Sequence, residues 1–254
     1  MAERYTAEYF RSRRMGESYD DPFDTRARAL KGYRRGARLL GDLRRKRVLD
    51  VGCGLGAGSW LMARQGARVT GVDVSEDAIA WARRTYESAV GQTGGRLEFW
   101  TVDLLASSGG GLGEFDALTV VDVLEHFPRG EGRELLERLR YLLRPGGRMF
   151  LHAPITANAL DWLLVLKNGL LTKRLRGQVL DHHGDPTHAT RYSVRSLSRL
   201  LRATGWKTAR LELRAYSPRL PNLERAAISG RWGPLQSAQE QVVTDWDGVH
   251  ERSD

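Results

Sequence analysis

The chain has 254 residues and 41% apolar side chains, which suits one large α/β domain with additional segments and leaves too little for a second independent core. No apolar run reaches the roughly 18 residues of a membrane-spanning helix, the stretch Met1-Ala-Glu-Arg-Tyr-Thr-Ala-Glu-Tyr-Phe10 has no apolar centre that would read as a secretion signal, and the single cysteine, Cys53, excludes an internal disulfide and fits a reducing cytoplasm. The net charge of +9 rests mostly on arginine, with lysine only at 31, 46, 167, 173 and 207; it admits nucleic acid, phosphorylated substrates or an anionic membrane surface as partners, and equally an arginine-rich solvated surface.

Residues 1–43 read as one or two polar helices punctuated by Tyr5, Tyr9, Phe10, Tyr19, Phe23 and Tyr33, a lid over a domain spanning 44–254 or a layer packed against it. From Arg47 strands and helices alternate. Residues 47–51 form a short apolar strand, followed by the turn Gly52-Cys-Gly-Leu-Gly56 and a helix to about Gln65. A second strand covers 67–73, and Ser75 caps a helix whose first turn carries Glu76 and Asp77, acids that suit its positive end. Residues 96–102 alternate as a third strand, the glycines of 109–113 form a loop, and 115–121 is the fourth strand. A helix over 131–143 is expected to stop at Pro145-Gly-Gly147, before a fifth strand over 148–153. Residues 155–191 interrupt the alternation as an insertion. A helix over 193–204, Gly205 and a strand over 206–213 follow, and the tail after Pro218 shows no clear strand. Alternation of this kind predicts right-handed βαβ units in a three-layer αβα sandwich with a mostly parallel, Rossmann-like sheet, and a ligand crevice at the carboxyl ends of the strands.

After the first strand the backbone must approach an extended ligand and turn into a helix, which a side chain at Gly52, Gly54 or Gly56 would obstruct. Asp73 closes the second strand about 20 residues on, where a carboxylate can accept both hydroxyls of a ribose. Gly52-x-Gly54-x-x-Ala57 also fits a dinucleotide fingerprint, so an NAD-dependent dehydrogenase competes at this point. Asp50, just before the glycines, places negative charge where a cationic amino-acid ligand is welcome and a pyrophosphate is not. Asp103 ends Thr101-Val-Asp-Leu104, the fourth strand runs into Asp122-Val-Leu-Glu-His-Phe127, and the next helix ends in Leu143-Arg-Pro-Gly-Gly-Arg148.

Over residues 47–154 this ordered set resembles the class I, Rossmann-like S-adenosylmethionine-dependent methyltransferases, of the type that acts on small molecules and glycans. The resemblance implies S-adenosyl-L-methionine as cofactor. Asp50 and the backbone of Gly52, Cys53, Gly54 and Gly56 would hold its methionine part, with Cys53 as a small wall residue; Asp73 would bind the ribose; Val74 would flank the adenine. Asp103 would meet the adenine amino group with Leu104 beside it, and Val121 and Asp122 would line the methionine end. Against these roles stand simple packing for Val74 and Leu104 and a loop acid for Asp103. The family closes its sheet at seven strands with an antiparallel sixth and seventh, of which only residues 206–213 are convincing here.

Such a cofactor carries the reactive methyl group, so the protein chiefly aligns a nucleophile. The expected reaction is O-methylation of a small acceptor (a natural product, sugar or lipid-like molecule), for which a histidine base adds about 10²–10⁴-fold. His126, after the fourth strand, and His188, in Asp185-Pro-Thr-His188, are the candidates; His152 reads as a hydrogen-bonded core residue. Asp181, His182, His183, Asp185 and His188 have metal-ligand chemistry, but their spacing matches no defined site and no metal is expected. The apolar stretch 160–171, with Lys173, Arg174 and Arg176 beyond it, could wall an acceptor pocket, touch a membrane surface or pack in the core. An RNA methyltransferase is the competing enzyme, although no Asn/Asp-Pro-Pro-aromatic pattern and no nucleic-acid-binding module is present. A non-catalytic partner that keeps the fold is the other alternative, and the intact Asp50, glycines and Asp73 argue against it. Nothing in the sequence identifies an oligomeric contact.

Overall fold

A computed structural model of the chain describes residues 5–6, 9–10, 21–25, 30–90, 95–106, 111–154, 187–215 and 238–245. Five strands run parallel in the order β3-β2-β1-β4-β5: β1 Arg47–Val51, β2 Arg68–Asp73, β3 Arg96–Thr101, β4 Phe115–Val121 and β5 Leu143–Pro154. The central β4 is buried at nearly every position, as a strand covered on both faces requires, whereas β3 at the sheet edge alternates buried and exposed residues. Beyond β5, β7 (Ala238–Asp245) pairs antiparallel from Arg148↔Asp245 to Pro154↔Gln239, and β6 (Lys207–Ala215) pairs antiparallel with β7. The partner of β5 thus comes from the tail that showed no clear strand in the sequence.

Side-chain alternation divides the core between two faces. Val48, Ala117, Val121 and Phe150 point to a cluster built with α1 (Lys31–Leu40), α2 (Ala57–Ala63) and α3 (Glu76–Tyr86). Leu49, Leu118, Val120, Met149 and Leu151 point to the other, built with α4 (Arg129–Leu142) and α5 (Val194–Ala203). Helix α1 shows why it lies where it does: Tyr33, Gly36, Ala37 and Leu40 recur at helical spacing and are the residues it buries. Gly36 meets the Phe150 ring so closely that an added Cβ would stand 2.5 Å from it. Each fully buried aliphatic or aromatic side chain contributes about 1.5–3 kcal/mol to this packing. On the opposite face the indole of Trp206 donates to the Leu136 carbonyl at 3.1 Å, fastening the chain after α5 to α4.

The expected cap at Ser75 is present, and a second one occurs at Ser193. Ser75 Oγ accepts from Ala78 N at 3.2 Å with Glu76 and Asp77 in the first turn, and Ser193 and Ser196 form a reciprocal capping box at the start of α5. One boundary differs. Helix α4 ends at Leu142 and β5 begins at once, so Pro145-Gly-Gly147 lies inside the strand rather than in a loop. The register shows how: Phe115 pairs Leu143 while Ala117 pairs Arg148, and the extra residues between them bulge out, which excuses a proline that has no N–H for the ladder. Among the described residues no helix is long and apolar enough to cross a membrane.

Candidate active site

The glycine turn stands at the carboxyl end of β1. Cys53 N donates to the Val72 carbonyl at 3.0 Å, Gly56 N to the Cys53 carbonyl at 3.0 Å, and Trp60 N to the Gly56 carbonyl at 2.9 Å, which starts α2. Gly52 and Gly56 have φ of +65° and +82°. An added Cβ would meet Val123 at 2.5 Å from the first and Phe99 at 2.6 Å from the second, so both the turn and the space require glycine. Cys53 is 1% exposed, and burial raises its thiol pKa far above the ordinary value.

Asp50 is enclosed at the end of β1. It is 0% exposed, because its turn of the β1 alternation points towards α2 under the cover of α1. Opposite it in the register stands Thr119, whose Oγ1 donates at 2.7 Å; Ser59 Oγ donates at 2.6 Å and Tyr33 adds a third bond. Burial pushes its pKa from 3.8 up to about 6 against the opposing pull of these donors. The fold therefore favours the protonated acid: its contribution is complete below pH 3.8 and is lost as pH rises through about 6, roughly 3 kcal/mol in all. Unfolding free energies of the wild type and Asp50→Asn, measured from about pH 4 to about pH 7, are expected to diverge over that window, with the wild type losing more stability than the variant, which keeps Asp73.

Asp73 closes β2 and binds the turn to the next helix, accepting from Gly54 N on Oδ2 and Ser75 N on Oδ1, both at 2.9 Å. Burial raises its pKa; those bonds and the nearby His126 pull it back. Val74 beside it is half-buried. Asp103 is exposed and accepts from Leu105 N at 2.8 Å and Ala106 N at 3.1 Å, a local turn. Leu104 is 8% exposed and packs with the α4 face, and Val121 belongs to the α1 face.

Asp122 takes φ +53°, left-handed and costly for a residue with a side chain, although aspartate tolerates it better than most. Its N–H donates to the His152 carbonyl at 3.0 Å, and its half-exposed carboxylate lies 2.8 Å from Nδ1 of the buried His152. The core histidine thus aims an acid at the crevice. Asp122→Ala removes this bond from the buried His152 and is expected to cost about 1–3 kcal/mol by urea unfolding, while Asp122→Asn, which keeps an acceptor, costs less than about 1 kcal/mol.

Beyond β4 the one-turn 3₁₀ helix Leu124–His126 meets the segment that enters α5. Thr190 N donates to the Glu125 carbonyl at 3.0 Å, and His126 Nδ1 lies 3.3 Å from the Thr187 carbonyl. A carbonyl only accepts, so Nδ1 carries the hydrogen and the neutral ring has its lone pair on Nε2. The His188 ring stands edge-on to His126 with centroids 5.0 Å apart. The two candidate histidines are therefore brought together. Glu125, which had no expected role, joins them: its carboxylate is buried, and one ligand atom from each of the three lies within 4.8 Å of the others. From the amino terminus Tyr5 stands edge-on to His126 at 5.6 Å and its carbonyl accepts from Ser75 Oγ at 2.6 Å; Phe10 is buried with Leu55 and Ala78. These aromatics lie against the glycine turn and the start of α3. Asp181, His182, His183, Asp185 and residues 160–176 fall outside the described residues.

A parallel sheet with a glycine turn after β1, an acid closing β2 and another following β4 is the Rossmann-like framework of the class I methyltransferases. A family model described as a methyltransferase domain matches residues 24–211. The ubiquinone biosynthesis O-methyltransferase of Thiobacillus denitrificans is 32% identical over 174 residues, 68% of this chain and 69% of that protein. Its counterpart in Cronobacter sakazakii is 35% identical over 131 residues, and there the match spans 51% of each protein, about half the relative's length. In fold the chain is similar to the magnesium protoporphyrin IX methyltransferase of Synechocystis crystallised with bound SAH, with a TM-score of 0.56 at 22% identity over 86% of this chain and 82% of that one. The chain belongs to the S-adenosylmethionine-dependent class I methyltransferase family.

Proposed function

We propose that the chain binds S-adenosylmethionine at the carboxyl ends of β1, β2 and β4 and methylates a hydroxyl group of a small molecule. The residues present suit that cofactor. The turn leaves at Gly52 and Gly56 the space that a Cβ would fill, Asp73 closes β2 within the turn's hydrogen-bond network, and Asp122 presents a carboxylate at the far side. In this reading Asp73 holds the ribose, the Gly52–Gly56 backbone and Asp122 hold the methionine part, and Val74 and Asp103 flank the adenine. Asp50 acts from behind the turn by tying β1 to α1, α2 and β4.

The bound sulfonium supplies an electrophilic methyl group; on transfer the C–S bond breaks with its electron pair kept by sulfur and a C–O bond forms. The protein aligns the acceptor oxygen, which alone is worth about 7–11 kcal/mol of the barrier. His126 Nε2 receives the hydroxyl proton, with His188 beside it. Tyr5, Tyr9 and Phe10, from a lid within residues 1–43, exclude water. The segment 155–186, read in the sequence as an insertion, lies outside the described residues, and β6 and β7 complete a seven-stranded sheet of the family type.

The observation that carries the reading is the histidine pair at the end of β4 beside the glycine turn. O-methylation of a small molecule is also what the names of the Thiobacillus and Cronobacter relatives describe for those proteins. Calorimetry with S-adenosylmethionine, followed by an acceptor screen that reads S-adenosylhomocysteine release, tests it. Binding and turnover of hydroxylated acceptors are expected; absence of cofactor binding would instead favour a non-catalytic partner.

A further inference from the structure

Helix α1 stands ahead of β1 in the chain yet packs behind the glycine turn, and its own glycines let it approach. An added Cβ at Gly32 would stand 3.2 Å from Val121 and 3.9 Å from His152, and one at Gly36 would meet the Phe150 ring. Tyr33, next to Gly32, is buried, and its ring lies against the first turn of α2, where a Cβ on Gly58 would stand 2.3 Å from it. The Tyr33 hydroxyl donates to the Asp50 carboxylate. Burial holds that hydroxyl well above its ordinary pKa, so it remains a donor wherever Asp50 titrates. Asp50 thus gathers donors from three elements, Tyr33 of α1, Ser59 of α2 and Thr119 of β4, just ahead of Gly52. Asp73 at the end of β2 repels its charge, and the Cys53 thiol of the turn is neutral beside it.

We propose that Tyr33 is a positioning residue for S-adenosylmethionine: its hydroxyl orients the Asp50 carboxylate beneath the glycine turn, so that α1 sets cofactor affinity from behind the site. This role rests on the cofactor reading given above. The cofactor brings a sulfonium and an ammonium group, and a carboxylate beneath the turn favours them only while it is ionised. Burial works against the charged form and each donor works for it. Ser59 and Thr119 belong to the elements that flank the turn, whereas Tyr33 reaches in from the segment before β1. Tyr33→Phe keeps the ring against Gly58 and removes the donor alone, which moves Asp50 towards the neutral acid.

The test is calorimetric titration of the full chain with S-adenosylmethionine from about pH 5 to about pH 8.5, with circular dichroism melts for every variant. Wild-type affinity is expected to rise as pH passes about 6, where Asp50 ionises. In Tyr33→Phe the rise should come at higher pH, leaving binding about tenfold weaker near neutrality and closer to the wild type at the alkaline end. Thr119→Val, which removes another donor, should move the rise the same way. A fluorinated tyrosine in place of Tyr33, whose hydroxyl is the stronger donor, should move it to lower pH, and it decides the matter if Tyr33→Phe does not fold. In an Asp50→Asn background Tyr33→Phe should shift nothing, because the carboxyl through which it acts is gone; that background also subtracts the titration of Asp73 and His126. A loss by the same factor at every pH, a rise that does not move, or an equal shift in the Asp50→Asn background overturns the proposal. A wild type that binds no cofactor removes the methyltransferase reading and this role with it, whereas binding whose pH course Tyr33→Phe leaves unmoved removes the role of Tyr33 alone.

Discussion

Gly56→Ala is expected to abolish measurable S-adenosylmethionine binding and to lower folding stability by about 2–5 kcal/mol. Two costs add. The residue sits at φ +82°, where a side chain costs about 1–2 kcal/mol. The new methyl would also stand 2.6 Å from Phe99 and 2.8 Å from Ala82, both buried at 0%, and such overpacking costs about 1–3 kcal/mol. Relief of the clash must move the turn that carries Gly54 N to Asp73, so the binding surface shifts with it. Gly146→Ala is the control: φ is +75° but nothing lies within 4 Å of the added methyl, leaving the backbone cost alone, about 1–2 kcal/mol. Urea unfolding and calorimetry measure both quantities, and equal stability losses in the two variants would contradict the steric account.

His126→Ala is expected to reduce kcat by about 10²–10⁴-fold with little change in cofactor affinity, since in the proposed reaction its Nε2 takes the hydroxyl proton. The ring also meets Tyr5 at 5.6 Å, so part of the loss could come from the aromatic contact with the amino terminus. His126→Phe separates the two, because it keeps an aromatic edge and has no lone pair. Activity retained in His126→Phe would assign the residue to that contact and remove it from the chemistry. His188→Ala belongs in the same series, and full turnover in both alanine variants would leave alignment as the mechanism.

The features legible in the sequence are those made by neighbours in the chain. The strands β1 to β5, the glycine turn, the Ser75 cap and the acid closing β2 each follow from local patterning, sterics and hydrogen bonding, and the structure has them close to the expected positions. The cofactor class was legible for the same reason, as an ordered set of short motifs on successive strands.

What depends on distant residues was decided only by the tertiary structure. Asp50 stands out in the sequence because it precedes the glycines, but that strand parity points it inward and that α1, from residues ahead of β1, closes over it is visible only in the fold. Pro145-Gly-Gly147 reads as a loop until β4 offers the partner that accepts the bulge. The segment Ala238–Asp245 has only Val242 and Val243 as an apolar signal, and it becomes a strand by pairing with β5 and β6. His126 and Thr187 are 61 residues apart, and no periodicity joins them. The chain alone specified the cofactor turn, because a turn is built from adjacent residues. The cluster of Glu125, His126 and His188 exists only once β4 and α5 pack into the same layer arrangement, because proximity between distant segments is a property of the fold.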